Sequence, residues 1–211
     1  SYFWRNFDRM DTRERIIVES GKLFLKFGIR SMTMDALAEE MHVSKRTIYE
    51  HFKDKDDLLL EMVRYYKEKE TGEALRIIDG SDSAIEAMFR IMKRSIRQMR
   101  QMNPLFLHDF QKYHPGVLER MTGHDDIRDY GVTLKLLETG VMQGVFRKEI
   151  HIDIVNRTLH ELFWLFGPDS SLTQGDYSRK QLFDHIIIPY FRGISTEKGQ
   201  VLLEKHKIIL D

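Results

Sequence analysis

Thr33-Met-Asp-Ala-Leu-Ala-Glu-Glu-Met-His-Val-Ser-Lys-Arg-Thr-Ile-Tyr-Glu-His-Phe52 is the stretch that decides the fold. Thr33 is a residue type that caps a helix, its hydroxyl accepting from a backbone N–H that has no partner in the first turn. Asp35 adds negative charge where the helix dipole is positive. Met34, Leu37, Ala38 and Met41 recur at three- and four-residue spacing, so residues 33–41 predict a short helix with one apolar side. His42 and Val43 make a tight turn. Ser44 is a second cap and opens a helix over residues 45–52. Ile48 and Phe52 lie one turn apart on it and point into a small core, while Lys45, Arg46, Thr47, Tyr49 and Glu50 are left for its outer side.

Two short helices joined by a tight turn, the second with a polar, basic start, form a pattern suited to reading DNA. The apolar face must lock onto a scaffold so that the N-terminal and outer residues can reach base edges in a groove. Lys and Arg donate to guanine or to phosphate, Thr contacts a thymine methyl or a phosphate, and the helix N-terminus itself attracts phosphate. Charge adds little. The chain has 33 basic and 33 acidic residues, and over residues 42–55 only Lys45, Arg46, Lys53 and Lys55 stand against Glu50 and Asp54. A surplus of two is common on any solvated surface.

Outward from this motif the periodicity stays helical. Residues 12–27 place Ile16, Ile17, Ser20, Phe24 and Phe27 on one face, and Gly28 suits a left-handed C-cap. Asp54 caps a fourth helix through Leu58, Leu59, Met62, Val63 and Tyr66, reaching the region of Ile77 and Ile78. After the turn Gly80-Ser-Asp-Ser83, a helix over 84–102 sets Ile85, Met88, Phe89, Met92, Ile96 and Met99 against a basic side of Arg90, Lys93, Arg94, Arg97 and Arg100. Asn103-Pro104 stops it. Further helices are expected over 105–113, over 116–144 with a bend near 123–126, over 153–166 and over 178–191, followed by a charged tail. Four prolines in 211 residues agree with an all-α chain, and no strand-period segment or repeat stands out.

Hydrophobic residues make up 42% and charged residues 31%, as in an ordinary globular chain. Cysteine is absent, so disulfides, thiol catalysis and thiolate zinc sites are excluded, and a cytoplasmic protein is expected. No apolar run approaches the roughly 20 residues that span a bilayer. Residues 1–11, beginning Ser1-Tyr-Phe-Trp-Arg-Asn-Phe, read as an arm without a signal peptide's apolar centre. His108-Asp109, His114 and His124-Asp125-Asp126 lack a strong metal-ligand spacing, so no metal is expected. No nucleophile elbow, phosphate-cradling loop or ordered catalytic set is present, so neither an enzyme nor a cofactor is expected.

The quoted stretch, with Lys53-Asp-Lys-Asp-Asp-Leu58 after it, resembles the TetR/AcrR family of bacterial transcriptional regulators. The matching features are a leading helix ending in Phe27-Gly28, Thr33 at a helix start, Ala38-Glu39, Val43-Ser44 at the turn, then Ile48-Tyr49, His51-Phe52, Lys55 and Leu58 at the family's spacing. The resemblance is specific over residues 12–66; beyond them it rests on helical layout and on Tyr190-Phe-Arg-Gly193. It implies an all-α fold. An arm (1–11) precedes a three-helix helix-turn-helix domain (12–55), a connecting helix (56–79) and a ligand-binding and dimerisation bundle (80–211). It also implies that Lys45, Arg46 and Thr47 face bases and that Thr33, Ser44, Tyr49, His51 and Lys55 touch phosphates. Local alternatives stand beside these roles: Thr33 and Ser44 also serve as caps, and Tyr49 as a packing residue.

For the second domain the resemblance implies a homodimer, a palindromic operator and a small-molecule effector. Met88, Met92, Phe106, Phe110, Tyr113, Met142, Phe146 and Trp164 are the candidate pocket residues, an ordinary filled core being the alternative. Leu159, Leu162, Phe163, Phe166, Phe183, Ile186, Ile187 and Phe191 are candidates for an interface between copies. Repression relieved by a ligand is the mode implied. A helical DNA-binding or scaffold protein without ligand response is the rival.

Overall fold

In a computed structural model, described over residues 11–101, 103–122, 130–165, 172 and 177–207, helices start where capping side chains stand. Asp11 accepts from Glu14 N–H ahead of α1 (Thr12–Phe27), Thr33 from Ala36 N–H ahead of α2 (Met34–Glu40), and Ser44 from Thr47 N–H ahead of α3 (Lys45–His51). Asp54 accepts from Asp57 N–H at 2.9 Å as α4 (Lys55–Asp79) begins. His42, between α2 and α3, takes φ 54°, a left-handed conformation in which His is found more often than most side chains. α5 (Ala84–Gln101), α6 (Pro104–Tyr113) and α7 (Pro115–Thr122) follow. Asn103 caps α6, and Pro104 sits at its first position, where a missing N–H costs nothing.

The chain forms two compact units. The first takes its described residues from Ser1–Glu70 and Arg100–Ile127. Its core joins Ile16, Phe24, Leu37, Ile48, Phe52 and Leu58 to Phe106, Phe110 and Val117. This corrects the expected boundary at residue 80, because α6 and α7 belong with the helix-turn-helix. Polar bonds explain the attachment: Asn103 N–H donates to Leu25 O at 3.0 Å, Asn103 Nδ2 to Lys26 O at 2.9 Å, and Arg30 N–H to the Asp109 carboxylate at 2.7 Å.

The second unit takes its described residues from Thr71–Met99 and Arg128–Asp211. It contains α8 (Tyr130–Met142), α9 (Ile152–Trp164), the short α10 (Arg179–Leu182), a π-helical stretch (Phe183–Ile187), α11 (Ile188–Ile194) and α12 (Glu197–Lys207). Ile85, Met88, Phe89, Leu137, Phe146, Leu159, Ile187, Phe191 and Leu203 share its core. The expected helix over 116–144 is represented by α7 and α8; its expected bend at 123–126 lies outside the described residues. The expected charged tail is instead the helix α12, held by Leu203 in the core and by Thr196 N–H donating to Val145 O at 3.0 Å. The π register before α11 has a covalent cause. Pro189 has no N–H for the carbonyl one turn back, so the ladder widens and Ile188 N–H bonds to Phe183 O.

Candidate nucleic-acid interface

α3 is held from below and open above. Ile48 and Phe52 are wholly buried in the first unit's core, and Val43 N–H donates to Ala38 O at 3.0 Å, which fixes the crossing of α2 and α3. The first turn of α3 then presents Lys45 and Arg46 outward, with Thr47 half-buried beside them. Arg46 is 88% exposed along its side chain. Tyr49, 46% exposed, and His51 continue the open side, and His51 lies 6.3 Å from the Phe52 ring. Thr33 and Ser44 are exposed as well, so both hydroxyls sit at helix starts that face solvent while they serve as caps. Ser44 Oγ also lies 2.7 Å from Thr47 Oγ1.

The two cations expected to face bases are both paired with acids. Lys45 Nζ lies 2.8 Å from the Asp35 carboxylate, and Arg46 Nε donates to Glu50 at 3.0 Å. The hydrogen bond to Asp35 holds the Lys45 ammonium above its ordinary pKa, outweighing a smaller effect of desolvation. Exposed pairs of this kind are weak because water and salt screen them, so DNA can displace them. Glu50, four residues after Arg46, was readable from the sequence as an i,i+4 partner; Asp35, ten residues before Lys45 and on another helix, was not. Replacing Glu50 with Gln frees Arg46 and removes a like charge facing phosphate. We expect about threefold tighter binding to any duplex, in line with exposed-pair energies. Fluorescence anisotropy at fixed salt checks it, and weaker binding would show that Glu50 itself reads a base.

Lys55 departs from the expected group. Its ammonium is half-buried over the Phe24 ring, 5.6 Å from the centroid, and donates to Ile29 O. Burial pushes its pKa down from the ordinary value, opposed by the Asp109 and Asp56 carboxylates. The side chain is therefore committed inside the first unit and does not stand free beside Tyr49 and His51. A buried backbone carbonyl needs a donor, and Lys55 supplies it.

The candidate pocket residues do not gather in one place. Phe106 and Phe110 lie in the first unit's core, and Tyr113, on the same helix, accepts from Arg30 at 3.1 Å. Met88, Phe146 and the partly buried Met92 belong to the second unit's core. Met142, at 80% exposed, lines no interior; it stands at the solvent side of the end of α8. The Trp164 and Met99 side chains lie outside the described ones. Among the candidate interface residues, Leu159, Phe183, Ile187 and Phe191 are buried in their own protomer, because α9, the π-helical stretch and α11 spend these faces on the core. Leu162 and Ile186 are partly buried. The side chain of Phe163, and Phe166 altogether, lie outside the described residues. No helix among the described residues is long and apolar enough to cross a membrane.

Comparison with known proteins agrees with this arrangement. Residues 16–62 match the family model of bacterial regulatory proteins, tetR family. The HTH-type transcriptional repressor KstR2 of Mycolicibacterium smegmatis is 21% identical over 198 residues, which cover 89% of this chain and 92% of that protein. An HTH-type transcriptional regulator of Bacillus subtilis, YerO, is 43% identical over 56 residues, 26% of this chain and 19% of that one. A transcriptional regulator from Cytophaga hutchinsonii superposes with a TM-score of 0.63 at 15% identity, covering 87% of this chain and 98% of the other, a likeness of fold. A DNA-binding regulator's helix-turn-helix followed by a helical second unit is what sequence, structure and relatives share, and over residues 16–62 the chain matches the DNA-binding segment of the tetR family of bacterial regulatory proteins.

Proposed function

We propose that the chain is a dimeric repressor that reads a palindromic operator through the first turn of α3 and is released from it by a small-molecule ligand. The observation that carries the reading is the outward pair Lys45 and Arg46, with Thr47 half-buried beside them, on a helix whose inner residues, Ile48 and Phe52, are fixed in a core. Thr33, Ser44, Tyr49 and His51 then supply phosphate contacts around it, which set register while the base contacts specify. Repression is supported by the named repressor that matches along 89% of the chain. The second unit, which carries Met88, Met92 and Phe146, is the site proposed for the effector, whose binding shifts the population of reading-competent protein.

A single reading helix covers few base pairs, and a two-fold dimer doubles them on a palindrome. The proposed interface uses what the protomer leaves outside. Ile154, Thr158 and Glu161 follow one another at helical spacing along one side of α9 and Leu165 comes just past its end, with Ile154 59% exposed and Leu165 36%. The partly buried Leu162 and Ile186 are the members of the original set that remain available to it. Light scattering at micromolar concentration should give about twice the 25.2 kDa of one chain, and Ile154→Arg should return it to one. A single-chain mass for the unaltered protein would overturn the dimer. DNA selected by the protein from a randomised pool should be palindromic, and failure to enrich any sequence would overturn the reading of α3.

A further inference from the structure

We infer that Asp109 is a positioning residue for DNA reading, acting from α6 on the peptide group between Ile29 and Arg30. The inference rests on the reading of α3 as the DNA-contacting helix. The Asp109 carboxylate accepts from Arg30 N–H at 2.7 Å, and the Lys55 ammonium donates to Ile29 O. These two bonds end on the N–H and the C=O of one peptide unit. Three segments far apart in sequence therefore meet on that unit: the turn between α1 and α2, the start of α4, and α6.

The surroundings are built for this contact. Asp109 is 6% exposed, and a buried carboxylate is retained where hydrogen bonds and an opposite charge compensate it. Arg30 N–H supplies the bond and Lys55 the charge. Gly28 makes room: a Cβ there would stand 3.1 Å from Asp109 Oδ2, and its φ of +86° suits glycine. On either side α6 is held again, by Asn103 to Lys26 O and by Arg30 to the Tyr113 hydroxyl at 3.1 Å. Just beyond α6, His114 Nδ1 lies 2.5 Å from Asp56 in the first turn of α4. The turn so gripped leads in three residues to Thr33, the cap of α2, and α2 packs on α3. A shift of the 29–30 peptide is therefore passed to Lys45, Arg46 and Thr47 through rigid, short helices. α6 also continues in sequence from α5, most of which belongs to the second unit, so Asp109 stands on the stretch of chain that returns from that unit.

The test compares Asp109→Ala with Asp109→Asn, which keeps an acceptor for Arg30 N–H but removes the charge opposite Lys55. Affinity is measured by anisotropy on DNA selected by the unaltered protein and on scrambled DNA, at several salt concentrations, with thermal melts alongside. Asp109→Ala should lower the ratio of specific to scrambled affinity about tenfold, and Asp109→Asn about threefold, a graded loss of positioning. The salt slope should not change, because no phosphate contact is removed. A role in stability alone would reduce the folded fraction and weaken both affinities in proportion. An unchanged ratio in Asp109→Asn overturns the inference even if Asp109→Ala fails to fold. If the unaltered protein itself shows no preference between the two DNAs, the reading of α3 fails and this inference with it. If it discriminates and the variants do so equally well, only the inference fails.

Discussion

Replacing Gly140 with Ala should destabilise the second unit, although the same change in the middle of an exposed helix stabilises. Gly140 lies inside α8, where Ala is intrinsically better by about 1 kcal/mol. A Cβ at this position, however, would stand 2.1 Å from Cδ2 and 2.4 Å from Cε2 of Phe146. Phe146 cannot withdraw easily. It is 1% exposed, packs 6.0 Å from the Phe191 ring, and sits where Val145 O and Arg147 N–H are bonded to Thr196 and Ile194. Overpacking a fixed core costs about 3 kcal/mol at a site this tight, so the net loss should be about 2 kcal/mol. For a chain of this length that is a fall of about 4–8 °C in Tm. Gly72, within α4, has nothing within 4 Å of its Cβ position, and Gly72→Ala should raise stability by about 1 kcal/mol. Paired thermal melts decide the matter by sign. A stabilised Gly140→Ala protein would mean that Phe146 is free to move and that the core around α8 is looser than its burial indicates.

That contrast also marks what could be read from the sequence. The caps Thr33, Ser44 and Asp54 and the inward Ile48 and Phe52 were legible because each is fixed by residues within one turn. The destination of a helix was not. Phe106 and Phe110 reveal an inner face on α6, but periodicity does not name the core that receives it. The bonds that decide, Asn103 to Lys26 and Asp109 to Arg30, span 77 and 79 residues. α12 was missed because Glu197, Lys198, Glu204 and Lys205 dominate its composition, while the buried Leu203 and the close approach of Gly199 to Val145 O hold it. Leu159, Phe183 and Ile187 read as candidates for an interface between copies, because helical spacing reveals an apolar face without naming the core that receives it. Lys55 was assigned from its place in a motif, and its half-burial against Phe24 and Ile29 shows that one side chain also serves the scaffold.

The largest functional effect is expected at Arg46. Its guanidinium stands in the first turn of α3 with 88% of the side chain exposed, so its loss should leave stability within about 0.5 kcal/mol. If its fork reads the N7 and O6 of a guanine, each lost contact costs about 1–3 kcal/mol of discrimination. Two copies on a palindrome double this to about 2–6 kcal/mol, a thirtyfold loss or more. The alternative is a phosphate contact, and it makes a different prediction. Arg46→Ala would then weaken selected and scrambled DNA alike and lower the salt slope by about one for each head. Arg46→Lys separates the two more sharply than Ala does. Lysine keeps the positive charge but cannot form the planar, two-pronged contact. A base-reading Arg46 requires that Arg46→Lys bind scrambled DNA as the unaltered protein does, with the same salt slope, while losing most of its preference for the selected sequence. Retained preference in Arg46→Lys would show that α3 uses this position for charge alone, leaving sequence to Lys45 and Thr47.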